Sequence, residues 1–279
     1  MFGDKEKVQR LLSSGGELAA AAVGGALGFF AGGPVTAAGT AALGVALTKG
    51  TQALLTDFAN RHLSHREEMR VGAVAALAID GIQKRLEKGQ RLRNDGFFSL
   101  LSSGRSKAEE IFEGVLQKSK NEHEEKKLQY YAHIFINAPF DEKLTSETMN
   151  HILSVADGLT YRQMCLLTLF SRPQPFMLRD HDYYGPPQAN DKITNVRVES
   201  PNETANVLAE IFELCQQSLV RCYKPGSKSA RERIPILGLS DIRPSWMVRI
   251  SFGDRLYELM QLDSIPYDDL KTVTESILD

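Results

Sequence analysis

Three short clusters in the sequence hold side chains capable of acid–base or metal chemistry. They are Glu122-His123-Glu124, Asp180-His181-Asp182, and the pair His62 and His65 ahead of Glu68. Imidazole and carboxylate groups transfer protons or bind divalent metals only when their side chains converge. Consecutive helix residues point in different directions, so the cluster at 122–124 is not expected to form a site. The polarity of a loop accounts for 180–182, and the histidines lack the His-Glu-x-x-His zinc spacing.

The recognised sequence motifs of enzymes are also absent. The chain contains no glycine-rich phosphate loop, no Gly-x-Ser-x-Gly elbow and no paired metal motif. Its three cysteines, Cys165, Cys215 and Cys222, include no Cys-x-x-Cys pair, and two of them lie in apolar helical patterns. A disulfide framework or a zinc site is therefore not expected. The expected compartment is a reducing cytosol. We predict a non-enzymatic protein without catalytic residues, cofactor or metal.

The charge composition limits the kinds of partner that the protein is expected to bind. The 279 residues are 24% charged with a net charge of -2, which argues against a surface that coats nucleic acid. One basic loop around Pro225-Gly226 is the candidate for binding nucleic acid or a protein partner. Its basic residues are Lys224, Lys228, Arg231 and Arg233.

The chain is organised around an uncharged stretch near its N-terminus. No charged residue occurs between Glu17 and Lys49, and Ala, Gly, Val, Leu, Phe and Thr supply almost all of residues 18–48. Three glycines four residues apart, Gly24, Gly28 and Gly32, would form one flat stripe on a helix. Such a stripe allows close approach of a second helix in lipid.

Pro34 divides this stretch, because proline lacks an amide donor and clashes with the preceding turn. Two helices are predicted, at 17–31 and 35–56, joined as a hairpin with small residues such as Gly44 along the second arm. Basic residues flank both ends, which favours a cytoplasmic location for both. Bulky side chains such as Phe29 and Phe30 are few, so the stretch is poised between insertion in lipid and burial in a soluble fold.

This stretch resembles glycine-zipper proteins, the small-residue membrane hairpins of bacterial membrane proteins, pore-forming toxins and effectors. The resemblance covers about residues 15–57. It implies oligomerisation in or on a membrane, with Gly24, Gly28 and Gly32 as the contact stripe. Pro34 and the pair Phe29–Phe30 are features that the pattern does not require.

The sequence after about residue 60 has the pattern of a soluble, mostly helical protein. Capping boxes at Ser64 and Ser106 predict a helix to about residue 88 and a long helix over 107–138, whose charged middle is expected to be solvated. Another helix is predicted at 145–157, and Phe97-Phe98 should anchor the loop before the long helix. These elements make a central helical domain over 61–159.

The C-terminal third mixes helices and strands. A buried helix at 161–171, which begins at a capping box at Thr160, and a helix at 201–222 flank a long insertion at 172–200. Strands are predicted at 234–239 and 246–251, then helices at 252–262 and 266–278. This order resembles a winged-helix domain, and the run from Met247 to Leu259, with Ser251-Phe252-Gly253-Asp254, is similar to its wing strand and following helix. Acidic residues on helix 201–222 (Glu203, Glu210 and Glu213) would repel phosphates, which disfavours DNA binding.

The sequence thus predicts a mainly α protein in three parts. They are a glycine-zipper helical hairpin at 1–60, a central helical domain at 61–159 and a winged-helix-like α+β module at 160–279. The favoured function is that of a membrane-acting effector of bacterial defence or toxin type. Its hairpin would oligomerise and permeabilise the membrane, while the C-terminal module senses or recruits.

Partners and location follow from that interpretation. We expect the protein to form a homo-oligomer, to contact membrane lipid and to bind a protein partner through its C-terminal module. We also expect it to be cytoplasmic, and peripheral to or inserted in the inner membrane. Two alternatives remain open: a winged-helix DNA-binding regulator, and a soluble oligomeric scaffold whose hairpin stays buried.

Overall fold

The computed structural model describes residues 63–171, 202–223 and 233–278. These residues are mainly helical, as predicted, and they belong to two compact units divided between Gly158 and Leu159. The predicted hairpin at 1–60 lies outside the described residues. So do the candidate membrane-contact residues Gly24, Gly28, Phe29, Phe30, Gly32, Pro34 and Gly44. No helix among the described residues combines the length and apolar character needed to cross a bilayer.

In the described residues, the first unit has four α-helices. They are α1 His65–Glu87, α2 Lys107–Asn121, α3 Leu128–Asn137 and α4 Ser146–Gly158. Helix α1 packs on α2 and α3, and α2 also packs on α3 and α4. The approach of α1 to α3 is close, because a Cβ added at Gly81 would lie 2.7 Å from Cγ1 of Ile136.

The predicted starts of α1 and α2 are confirmed. The Ser64 side chain accepts the amide of Glu67 while the Glu67 carboxylate accepts the amide of Ser64, and Ser106 and Glu109 make the same exchange. Each box satisfies two backbone donors that a helix start otherwise leaves unpaired. Phe97 and Phe98 are buried in edge-to-face contact and anchor the preceding loop, also as predicted.

The predicted single helix over 107–138 is wrong. Helix α2 ends at Asn121, Glu122 is extended with φ -70° and ψ 130°, and a 3₁₀ turn at Glu125–Lys127 leads into α3. The interruption places a charged residue of this run in the core, which a continuous solvated helix would not do.

The described part of the second unit combines four α-helices with a small sheet. The helices are α5 Tyr161–Leu169, α6 Asn202–Gln216, α7 Ser251–Met260 and α8 Tyr267–Leu278. The strands are β1 Val220–Tyr223, β2 Arg233–Ile234 and β3 Met247–Arg249, in the antiparallel order β2-β1-β3. Helix α5 contacts α6, α7 and α8 and is almost wholly buried, as predicted, with Cys165 in the core.

Two sequence predictions in this unit need correction. The helix predicted to reach residue 222 ends at Gln216, because Ser218 takes a left-handed conformation with φ +57° and the chain continues as β1. The predicted strand 234–239 pairs only at Arg233–Ile234. In the described residues the two predicted strands do not pair with each other; each pairs with β1.

Candidate functional site

The break between α2 and α3 brings two oppositely charged side chains together in the core of the first unit. The carboxylate of Glu122 turns inward, and its Oε1 accepts the amide of Glu124 at 2.8 Å. The amide of Lys127 in turn donates to the carbonyl of Glu124 at 2.8 Å. The turn therefore folds Lys127 back over Glu122, a pairing that five residues of straight helix would not produce.

Glu122 and Lys127 form a buried ion pair. Lys127 Nζ lies 2.5 Å from Glu122 Oε2, and the two side chains are 2% and 3% exposed respectively. The hydroxyl of Tyr131 donates to the same oxygen at 2.9 Å. Because water is excluded, these interactions are stronger than on a surface, but both charges have also lost their hydration.

Neighbouring helices enclose this pair. Arg70 of α1 donates a guanidinium hydrogen bond to the backbone carbonyl of Glu122. From α4, the carbonyl of Asp157 accepts a 3.4 Å bond from Lys127 Nζ, and the carbonyl of Ala156 lies 3.4 Å from the Tyr131 hydroxyl. The cluster of Glu122, Lys127 and Tyr131, called here the buried charge cluster, thus connects helices α1, α2, α3 and α4.

The surroundings of Glu122 and Tyr131 set the protonation states of these two side chains. Burial by itself would raise the pKa of Glu122, but the hydrogen bonds from Lys127 and Glu124 and the Lys127 charge outweigh it and lower that pKa. Burial, and then the adjacent Glu122 carboxylate, raise the pKa of Tyr131 well above its usual range. Near neutral pH Glu122 is therefore a carboxylate and Tyr131 a neutral phenol.

A metal ion is a poor fit to the same place. One ligand atom each of Glu122, His123 and Glu124 lies within 4.8 Å of the others, and His123 Nδ1 is 3.5 Å from Glu122 Oε1. Yet both oxygens of Glu122 already accept hydrogen bonds, and the ammonium of Lys127 would repel a cation. The arrangement supports a structural ion pair, and His123 itself is 89% exposed.

The second unit has its own polar contacts at the start of α5. Arg162 donates from Nε at 2.7 Å and from Nη2 at 3.2 Å to the two oxygens of Glu210, and Gln163 donates to Glu213 at 2.7 Å. Thr160 caps the helix in a box with Gln163. The acidic residues Glu210 and Glu213 of α6 are therefore bonded to α5.

The start of α7 shows why its glycine is needed. The amide of Ile250 donates to the carbonyl of Leu219 at 3.1 Å, which holds the end of β3 against β1. A Cβ at Gly253 would overlap the Leu219 carbonyl oxygen and stand 3.0 Å from its carbonyl carbon. Arg249 meanwhile stacks 3.7 Å above the Tyr257 ring and pairs with Asp254 at 3.1 Å.

The sequence-predicted binding residues are not brought together by the described residues. Lys224, Lys228 and Arg231 lie outside them, as does the cluster at 180–182, and of Arg233 only the backbone is described, paired with Tyr223. Since β1 and β2 pair, however, the basic loop connects two adjacent strands. His65 and Glu68 are exposed at the start of α1.

The buried charge cluster was missed by sequence reasoning. Glu122 and Lys127 are five residues apart within a run of ten mostly charged residues, and helical spacing places them on different faces. Only the inward-facing Tyr131 hinted at a polar group in the core, because a buried phenol usually has a hydrogen-bond partner.

Comparisons of the chain with protein-family models, with curated proteins and with solved structures gave no match.

Proposed function

We propose that the protein acts on a membrane without catalysing a reaction, by oligomerising through the small-residue hairpin of residues 1–60. The observation that carries the proposal is the uncharged stretch 18–48, with Gly24, Gly28 and Gly32 at helical spacing. Such a segment tolerates both lipid and a protein core, because alanine and glycine contribute little transfer free energy. The protein would work from the cytoplasm, peripheral to or inserted in the inner membrane, and would permeabilise it as a homo-oligomer.

The described residues supply a body for this hairpin. The first unit contains capped helices and the buried charge cluster, in which opposite charges are paired. The second unit contains helices and a small sheet. We propose that the second unit is a winged-helix-like module that senses a signal or recruits a protein partner. What supports this is the order of two helices, paired strands with a basic loop, and a further helix.

Membrane fractionation beside dye uptake in the same cells tests the proposal. Wild type is expected to sediment with membranes and to admit dye, and Gly24→Leu/Gly28→Leu to lose dye entry because the bulky side chains hold helices apart. The matched control is Ala22→Leu/Ala26→Leu, which places the same two leucines two residues away from the stripe and should retain dye entry. If wild type stays soluble and harmless, the soluble-scaffold alternative replaces the proposal.

A nucleic-acid partner is the second candidate, and one observation favours it. Lys224, Lys228 and Arg231 lie in the sequence between the paired strands β1 and β2. In addition, two of the acidic residues that argued against DNA are bonded to α5: Glu210 accepts from Arg162, and Glu213 accepts from Gln163. Phosphate binding through this loop predicts affinity that falls with salt and with Lys224→Glu/Lys228→Glu/Arg231→Glu. Salt-independent or absent binding of duplex DNA would reject this candidate.

A further inference from the structure

The first unit has an exposed apolar loop at residues 99–104, called here the tip, that takes no part in its core. Leu100 is 72% exposed and Leu101 is 39% exposed, and they are two of four large hydrophobic residues exposed among the described residues. The other two, Leu237 and Tyr267, belong to the second unit and are distant from each other in sequence. Single exposed leucines are ordinary on protein surfaces, but two adjacent ones at a loop tip expose a contiguous apolar area.

The tip is held in shape by its own backbone. The amide of Leu101 donates to the carbonyl of Arg105 at 2.8 Å, and the amide of Gly104 donates to the carbonyl of Leu101 at 2.9 Å. Gly104 has φ +78°, which suits glycine, and Leu100 bridges to Ser106. Phe97 and Phe98, buried just before the tip, fix its base. The leucines are thus presented by a closed loop, at little further cost in ordering entropy.

No charge has to leave water when this tip enters an apolar phase. Residues 96–104, Gly-Phe-Phe-Ser-Leu-Leu-Ser-Ser-Gly, contain no ionisable side chain. The next residue, Arg105, pairs with Glu113 at 2.5 Å. The exposed residues beside the leucines are the serines at 99, 102 and 103, whose hydroxyls suit the hydrated headgroup layer.

The small area of the tip decides between a protein and a lipid partner. A stable protein–protein interface buries about 800 Å² on each side, far more than two leucine side chains expose. A bilayer interface needs no complementary surface and accepts a protruding apolar loop. We propose that the loop of residues 99–104 inserts Leu100 and Leu101 into the lipid interface and so docks the first unit on the membrane. This inference rests on the proposed membrane function and gives it a second contact outside the hairpin.

Sedimentation of the full chain with vesicles of phosphatidylethanolamine and phosphatidylglycerol tests the inference. Leu100→Ser/Leu101→Ser should bind about tenfold or more weakly, because two apolar side chains no longer leave water. The control is Leu237→Ser, which removes the most exposed leucine among the described residues and should bind like wild type. Unchanged thermal unfolding of both variants, measured by circular dichroism, shows that the comparison concerns folded protein.

A second measurement locates the tip directly. Tryptophan placed by Leu100→Trp should be quenched by vesicles with brominated acyl chains, whereas Leu237→Trp should not, each compared with the background of the natural Trp246. Wild-type affinity of the tip variant, or equal quenching at both positions, would overturn the inference.

Dye release from the same vesicles separates this result from the proposed function. Tip-dependent binding without dye release by wild type would reject permeabilisation and keep the tip as a membrane contact. Dye release that depends on Gly24 and Gly28 but not on the tip would keep the proposed function and reject the tip. Absence of any vesicle binding by wild type would reject both.

Discussion

At the scale of single residues, the buried charge cluster is the main polar feature of the first unit's core. Glu122 and Lys127 compensate each other at 2.5 Å, and the Tyr131 hydroxyl uses a further lone pair of the carboxylate. A pair of this kind contributes little net stability over an apolar pair of similar size, but removal of one partner leaves an uncompensated buried charge. The cluster therefore favours one arrangement of the break between α2 and α3 over slipped ones.

A double-mutant cycle measures this coupling. Glu122→Gln or Lys127→Met alone should lower the free energy of unfolding by about 3–5 kcal/mol, because each leaves one charge buried without its partner. The double variant should cost clearly less than the sum of the single variants. Urea unfolding followed by circular dichroism gives these values. Lys118→Met is the control: its ion pair with Asp157 is about 40% exposed, so it should cost about 0–1 kcal/mol.

The same residues set part of the pH dependence of stability. The pKa of Glu122 is lowered in the folded protein, so its contribution is present above its ordinary value of 4.5 and is lost as pH falls through the lowered folded pKa. The pKa of Tyr131 is raised, so its contribution is present below its ordinary value of 10.0 and is lost as pH rises above it. We expect Glu122→Gln to flatten the acid side of a stability–pH curve, and Tyr131→Phe the alkaline side. If each variant keeps the wild-type slope on its side, the cluster does not titrate in this way.

At the scale of elements, the sequence predicted helix starts better than helix ends. Capping boxes at Ser64, Ser106 and Thr160 are local, because the bonded groups lie three residues apart, and all three are present in the structure. The break after Asn121 and the left-handed Ser218 depend on tertiary packing. Neither is marked by the glycine or proline that usually ends a helix, so the local pattern gave no reason to expect them.

Gly253 joins two elements through close backbone approach. Because an added Cβ would overlap a backbone oxygen of Leu219, which no rotamer change can move, β1 or α7 would have to shift. Gly253→Ala should therefore destabilise the second unit by about 1–3 kcal/mol, the usual range for overpacking. Gly238→Ala is the control, since no atom lies within 4 Å of its added Cβ and its φ of -160° suits any residue. Equal stability of the two variants would show that the α7 start yields easily.

At the scale of the whole molecule, the helical class followed from composition and period, but the candidate sites did not. Apolar residues at helical spacing and the three capping boxes sufficed for a mainly α protein. The buried charge cluster required knowledge of a turn that brings residues 122 and 127 together. The strand order β2-β1-β3 required a strand at 220–223, where helical spacing had continued α6. Non-local contacts of this kind leave little trace in the pattern of a single sequence.

The two compact units should respond separately to variants in their own cores. Trp246 is the single tryptophan of the chain and belongs to the second unit, so its fluorescence follows that unit, while ellipticity follows the helices of both. We expect Gly253→Ala to move the fluorescence transition in urea, and Glu122→Gln to move only part of the ellipticity change. Variants without shared partners add within about 0.3–0.5 kcal/mol, so the combined variant should show both shifts unchanged.

The contrary result is equally specific. If Glu122→Gln moves the Trp246 transition as far as it moves the ellipticity change, the two units unfold as one cooperative body. In that case, loss of the buried charge cluster would also destabilise the second unit.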